Sequence, residues 1–157
     1  LEEPMAEVAV LRPPRQLVLF RVGETHYGLD IESVDEILPI LPVTAAPGAP
    51  GGVLGFADVR KHVVPVFDLH WKFGVPVPES NPEARFILVE SAEGPVALLV
   101  DAVEEVVTVS REDFQPVAAP GKTSELAYLN GVLRRGDRLT LWVDHKRLVP
   151  ETGLAAA

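Results

Sequence analysis

The chain repeats itself, and that limits its possible folds more than any other feature. Displacing the sequence by 69 residues lays LVLFRVGETHYGLDIESVDEIL over FILVESAEGPVALLVDAVEEVV without a gap, with identities at Leu19/Leu88, Glu24/Glu93, Leu29/Leu98, Val34/Val103 and Glu36/Glu105. The apolar columns agree almost throughout. A displacement of 76 lays GFADVRKHVVPVFDL over GVLRRGDRLTLWVDH, so that Gly55 meets Gly131 and Asp68 meets Asp144. Two ordered matches of one apolar pattern favour duplication over chance. Each unit holds four or five short strand-like runs separated by Gly and Pro turns, the spacing of a small barrel. The expected architecture is all-β: two small barrels packed together, of like topology over 17–69 and 86–144. Their strands should close on themselves and so hide their edges, and a shared apolar seam should bury Ile87 and Leu98.

Taken in order, residues 1–15 carry Pro4, Pro13 and Pro14 with no periodicity and read as a flexible arm. QLVLFRVGETHYGLDI is strand, turn, strand, split at Gly23-Glu24. Over 31–38 the apolar positions 31, 34, 37 and 38 fit a helical turn as well as a strand, and both readings stand. LPVTAAPGAPGG can neither propagate a helix nor sit in a central strand, so it is expected as an extended surface loop. LGFADVRKHVVPVFDLHWKFG reads as a second hairpin whose tip, Arg60-Lys61-His62, must face water or a partner. VPVPESNPEA, residues 75–84, is a linker between a first lobe over about 16–74 and a second over about 85–148, with a tail at 149–157.

Composition narrows the function. With 23 acidic against 14 basic residues the net charge is −9, which disfavours nucleic acid and anionic membrane and favours protein partners. No stretch approaches the roughly 20 apolar residues of a membrane span, so no direct membrane insertion is expected and the cytoplasm is the expected location. The absence of cysteine excludes disulfides and a thiol nucleophile. His62, Asp68 and His70 are close in sequence, but no third ligand follows at a known spacing, and lone histidines read as structural. No metal, cofactor or catalytic residue is therefore assigned, and no nucleophile elbow, phosphate loop or zinc helix is present.

The order of these segments resembles the CheW family of chemotaxis coupling proteins. LVLFRVGETHYGLDIESVDEIL resembles its opening strands and V-x-E-I turn, and GFADVRKHVVPVFDL its G-x-x-N-L-R-G-x-x-x-P-x-x-D-L hairpin. FILVESAEGPVALLVDAVEEVV and YLNGVLRRGDRLTLWVD resemble its second-lobe opening and closing hairpin, and the match runs from about 16 to 148. The resemblance implies two five-stranded, SH3-like barrels related by an internal repeat, without catalysis. It implies a scaffold joining the cytoplasmic tips of chemoreceptors to the regulatory domain of a chemotaxis histidine kinase, recruited to receptor arrays.

Residue by residue, the family's hairpin arginine falls on Arg60 and its first-lobe acidic residue on Glu36, with Val34 two positions earlier; these carry the implied receptor-facing groove. The family's Pro and Asp match Pro65 and Asp68. The same hairpin departs from the pattern at Asp58, Val59 and Lys61, where the family has Asn, Leu and Gly. These three join the candidate partner-binding residues. A tip glycine supplies positive φ at no steric cost, so Lys61 implies another turn or some strain. Two other function classes stay open: a CheW-like module of a larger kinase or receiver-fused adaptor, and a small ligand-binding β-barrel.

Overall fold

The computed structural model describes residues 15–115 and 127–149. The expected arm, apart from Arg15, and the tail after Val149 lie outside these residues. The described chain forms twelve strands and two short helices, and none of its helices is long and apolar enough to cross a membrane.

Six strands make the first sheet: β1 (Arg15–Val22), β2 (Thr25–Asp30), β9 (Ala102–Val109), β10 (Phe114–Gln115), β11 (Leu129–Arg135) and β12 (Arg138–Val143), ordered β10-β11-β12-β2-β1-β9. The second holds β3 (Val34–Pro39), β4 (Val43–Ala45), β5 (Val53–Val59), β6 (His62–Asp68), β7 (Arg85–Ser91) and β8 (Gly94–Val100), ordered β3-β7-β8-β6-β5-β4. The all-β expectation of two repeat-related, SH3-like lobes holds. Each sheet has a sixth strand beyond the expected five because a short edge strand, β4 or β10, is added.

The sheets, however, do not follow lobes at 16–74 and 85–148. Each repeat lends its first hairpin to the other's sheet: β1 and β2 pair with β9 and β12, while β7 and β8 pair with β3 and β6. The joins β12–β2 and β6–β8 are parallel, the remaining pairings antiparallel. The chain crosses between sheets at Ile31–Ser33, a single 3-10 turn, which settles the ambiguity over 31–38: a turn, then strand β3. It crosses back at Asp101, and residues 75–84 form an irregular connector.

Strand alternation builds three cores. Leu38, Ala57, Val59, Val64, Val66, Phe86, Leu88 and Ala97 fill the concave side of the second sheet. Leu17, Leu19, Val107, Val109, Leu133 and Trp142 fill that of the first. Between the sheets lies the largest cluster, with Phe20, Val22, Tyr27, Leu29, Phe67, Ile87, Val89 and Leu98. The shared seam therefore exists, and Ile87 and Leu98 are wholly buried in it. Because β1 and β7 are covered on both faces, their sequences are nearly continuous apolar runs rather than alternating ones. In the seam, burial and then the neighbouring Tyr128 push the Tyr27 hydroxyl up to about 12.

Among the described residues the backbone ladders end at β9 and β10 in one sheet and β3 and β4 in the other, so hydrogen bonding does not close either barrel. Side chains bridge the gap, Arg60 to Glu36 in the second sheet and Arg135 to Glu105 in the first. Gly55 marks the tightest backbone approach: a Cβ there would lie 2.0 Å from the Thr44 carbonyl oxygen.

Candidate functional site

The β5–β6 hairpin ends in a two-residue turn, Arg60-Lys61, between the paired residues Val59 and His62. Both turn residues have positive φ, 51° and 71°, the signature of a type I′ turn normally built from Asn and Gly. The departure at Lys61 thus keeps the family-type turn at the cost of left-handed strain. Asp58 offsets part of it: its Oδ1 accepts the Lys61 backbone N–H at 2.7 Å. Its carboxylate is committed to the turn rather than to Arg60.

Arg60 reaches across the open end of the second sheet. In that sheet's order three strands, β7, β8 and β6, separate β3 from β5, yet the Arg60 guanidinium grips the Glu36 carboxylate of β3 with both arms. One contact, Nη1 to Oε2, is 3.0 Å, and the second runs from Nη2 to Oε1. Such a fork-on-fork pair fixes orientation as well as proximity. The ion pair closes the curled sheet where the ladder does not.

A bulge in the β3–β7 register between Val34 and Glu36 aims Glu36 at the hairpin. The Arg60 hydrogen bond holds the Glu36 carboxyl below its ordinary value and, reciprocally, the Glu36 hydrogen bond raises that of Arg60. Next to Glu36 on β3, Asp35 accepts a hydrogen bond from the Glu90 carboxyl of β7, which pushes that carboxyl up. Glu36 and Glu90 are therefore tuned in opposite directions.

The structure brings Arg60, Glu36, Asp58 and Lys61 together at one exposed rim, with exposed Ile37 next to Glu36 on β3 and exposed Val63 opposite Asp58 on β6. It does not place Val59 there. Val59 points into the barrel core at 5% exposure, because strand alternation sends it opposite to Asp58 and Arg60. Val34 is half-buried, pairs with Val89 and packs against the inter-sheet core, so its role is packing beneath the rim.

The repeat reproduces the rim on the first sheet. Glu105 stands 69 residues after Glu36, and Arg135, at the tip of β11–β12, approaches it to 3.7 Å. Glu104 meets His26 at 2.9 Å and Arg138 at 3.9 Å. The copy is looser and includes no bidentate pair.

Asp68 and His70, read from the sequence as structural, belong to a buried cluster whose third member, Asp101, was not singled out from the sequence. His70 is buried with Asp68 Oδ1 2.7 Å from its Nδ1 and Asp101 Oδ1 2.7 Å from its Nε2. The available signal was a lone aspartate inside each apolar run, VFDLH and LLVDAV, since a buried charge requires a partner. The cluster is closed to substrate, and among the described residues no group of three or more histidines or acidic residues is arranged to hold a metal ion.

A two-barrel body with an exposed hairpin clamped by an ion pair, and with the buried Asp68–His70–Asp101 cluster joining its sheets, defines a surface-presenting scaffold module. Residues 16–152 match the CheW-like domain model. The chain is 33% identical to the chemotaxis protein CheW of Rhizobium meliloti, covering 91% of this chain and 92% of that one. It is 32% identical to the CheW of Treponema pallidum, over 85% and 81%. The scaffolding protein TtCheW of Thermoanaerobacter tengcongensis superposes with a TM-score of 0.77 at 28% identity, covering 89% of this chain and 90% of that one. The chain belongs to the CheW-like family.

Proposed function

We propose that this protein is a non-catalytic coupling scaffold that links the cytoplasmic tips of chemoreceptors to the regulatory domain of a chemotaxis histidine kinase, in the cytoplasm. The observation that carries this reading is the rim: Arg60, exposed yet held in one geometry by Glu36, at the tip of a hairpin whose core residues hold it rigid. A preoriented guanidinium beside exposed Ile37 and Val63 offers a partner one charged anchor and an apolar margin, the combination that concentrates binding energy at interfaces. Arg60, Glu36, Asp58 and Lys61 are the docking residues in this reading, Val34 supports them from below, and Val59 contributes through the core.

The test is a titration of purified protein with a receptor tip and, separately, with the kinase regulatory domain, beside a thermal melt. Arg60→Ala should leave the melting midpoint nearly unchanged and weaken receptor-tip binding by roughly thirtyfold or more, as truncation of a central interface arginine does. Unfolding would make Arg60 structural. Normal binding would remove it from the interface.

A further inference from the structure

The buried cluster at the sheet junction has a chemistry that the docking rim does not use. Asp68 caps α1 (Leu69–Phe73), its Oδ1 accepting both the His70 backbone N–H at 2.9 Å and the ring Nδ1 at 2.7 Å. On the far side of the ring, Asp101 occupies the single residue between β8 of the second sheet and β9 of the first. Its Oδ1 meets His70 Nε2, and its Oδ2 accepts the Gly23 N–H of the β1–β2 turn at 2.7 Å. Its backbone N–H donates to the Arg21 carbonyl at 2.9 Å, and its carbonyl accepts from Asn81 Nδ2 of the connector, also at 2.9 Å. One side chain thus gathers the first sheet, the second sheet and the connector.

The internal repeat shows that His70 is not needed for the helix cap. In the second copy Asp144 caps α2 (His145–Leu148) by accepting the Lys146 N–H at 3.0 Å, and Lys146, the counterpart of His70, is exposed. The counterpart of Asp101 is exposed Glu32. The capping geometry is duplicated; the imidazole bridge is not. It occurs at the Asp101 crossing and not at the other crossing, Ile31–Ser33, where Glu32 stands.

Protons decide whether this bridge holds. An ionised carboxylate only accepts, and a neutral imidazole carries one N–H. Two ring nitrogens facing two carboxylates therefore need two protons, with the second on the ring or on a carboxyl. With one proton, a nitrogen lone pair would face a carboxylate oxygen at 2.7 Å in a site closed to water. The other charged groups around the site are already committed. The Arg21 guanidinium bonds the Gly23 carbonyl at 3.0 Å and Glu83 at 3.5 Å, and the Lys72 ammonium lies over the Tyr128 ring at 5.8 Å. Asn81 is neutral, and its Nδ2 is 3.3 Å from Asp101 Oδ1.

We propose that Asp68, His70 and Asp101 form a proton-holding latch between the two sheets, and that removing its second proton frees the β1–β2 turn and the Asp101 crossing while each sheet stays folded. His70 acts here as a positioning residue for the junction.

The experiment uses the full chain. Ring ¹⁵N shifts of His70 are followed by NMR from about pH 5 to about pH 9, with amide exchange corrected to protection factors at Gly23 and Asp101 and, as internal controls, at Leu19 and Leu98. Both ring nitrogens should be in hydrogen bonds to protons at the acid end. As the second proton leaves, protection at Gly23 and Asp101 should fall at least tenfold while Leu19 and Leu98 keep theirs. His70→Gln should abolish that step, and should this variant fail to fold, the wild-type titration decides alone. The proposal is overturned if protection at Gly23 and Asp101 is flat while His70 changes protonation, if it falls together with the controls, or if the step survives in His70→Gln. A ring whose two nitrogens keep one and the same hydrogen-bonding state from the acid to the alkaline end of the range overturns it as well.

Discussion

Arg60 and Lys61 show how a single residue can be bound by two constraints at once. Both sit in left-handed backbone, which costs an L-residue with a Cβ roughly 1–2 kcal/mol. Lys61 has no side-chain partner that requires it to be lysine, so Lys61→Gly should relieve strain and raise stability by about 1 kcal/mol, less the entropy of the glycine, measured as a shift in urea midpoint. Arg60 cannot be relieved in this way without losing the Glu36 clamp. The clamp also has a pH signature. Arg60 lowers the Glu36 carboxyl from its ordinary 4.5, so its contribution is complete above that value and is lost as pH falls through the lower, folded value. Glu90, raised by Asp35, works in the opposite sense: its contribution belongs to acid pH and is lost as pH rises through the raised value. The melting-point difference between wild type and Glu36→Gln should therefore shrink on acidification from pH 6 to about pH 3, whereas Glu90→Gln should gain relative to wild type towards neutral pH. A difference for Glu36→Gln that is constant across this range would show that the carboxylate charge is not what the variant removes. Arg60, Glu36, Pro65 and Asp68 were legible from the motif alone. The inward face of Val59 was legible too, from alternation, but the motif lists it beside exposed neighbours without regard to which side of the strand it takes.

At the level of elements, the two helices form a natural control pair. Asp68 and Asp144 each cap a one-turn helix through the N–H two residues on. Asp144 is half-exposed and does only this, with a 3.7 Å contact to Arg147 besides, so Asp144→Ala should cost about 1 kcal/mol. Asp68 is buried and also holds His70, so Asp68→Ala should cost about 3 kcal/mol or more, the range for breaking a buried charged pair. Equal losses in chemical denaturation would mean that the His70 contact is energetically idle. Strand identity was largely readable: the β1–β2 and β5–β6 hairpins and the irregular connector follow from turn residues and alternation, whereas the proline-rich run expected as a loop holds the short edge strand β4, which its prolines leave room for only at a sheet edge. The 31–38 segment was ambiguous because three residues of 3-10 turn precede a strand whose bulge breaks its alternation. Propensity has no access to a bulge imposed by β7.

For the whole molecule, the exchange of first hairpins makes the two repeats interdependent. Cutting the chain within 75–84 separates β1–β2 from β9 and β12, and β7–β8 from β3 and β6. Each half then exposes an apolar strand that is buried on both faces in the intact protein, β1 in one half and β7 in the other. Neither half should give a dispersed NMR spectrum as a monomer, and mixing the two should restore the native spectrum. A monomeric half that folds alone would show that a repeat can take back its own hairpin. The sequence by itself determined the all-β class, the duplication, the positions of the turns and the seam that buries Ile87 and Leu98. Those follow from side-chain chemistry and period, which are local properties. Tertiary structure alone decided which hairpin joins which sheet, because ladder hydrogen bonds run through the backbone and two copies of one apolar pattern satisfy either pairing equally well. It also decided the fate of Asp101 and His70. Their meeting depends on a crossing point 31 residues away in sequence from the helix it latches, and nothing local to either residue encodes that contact.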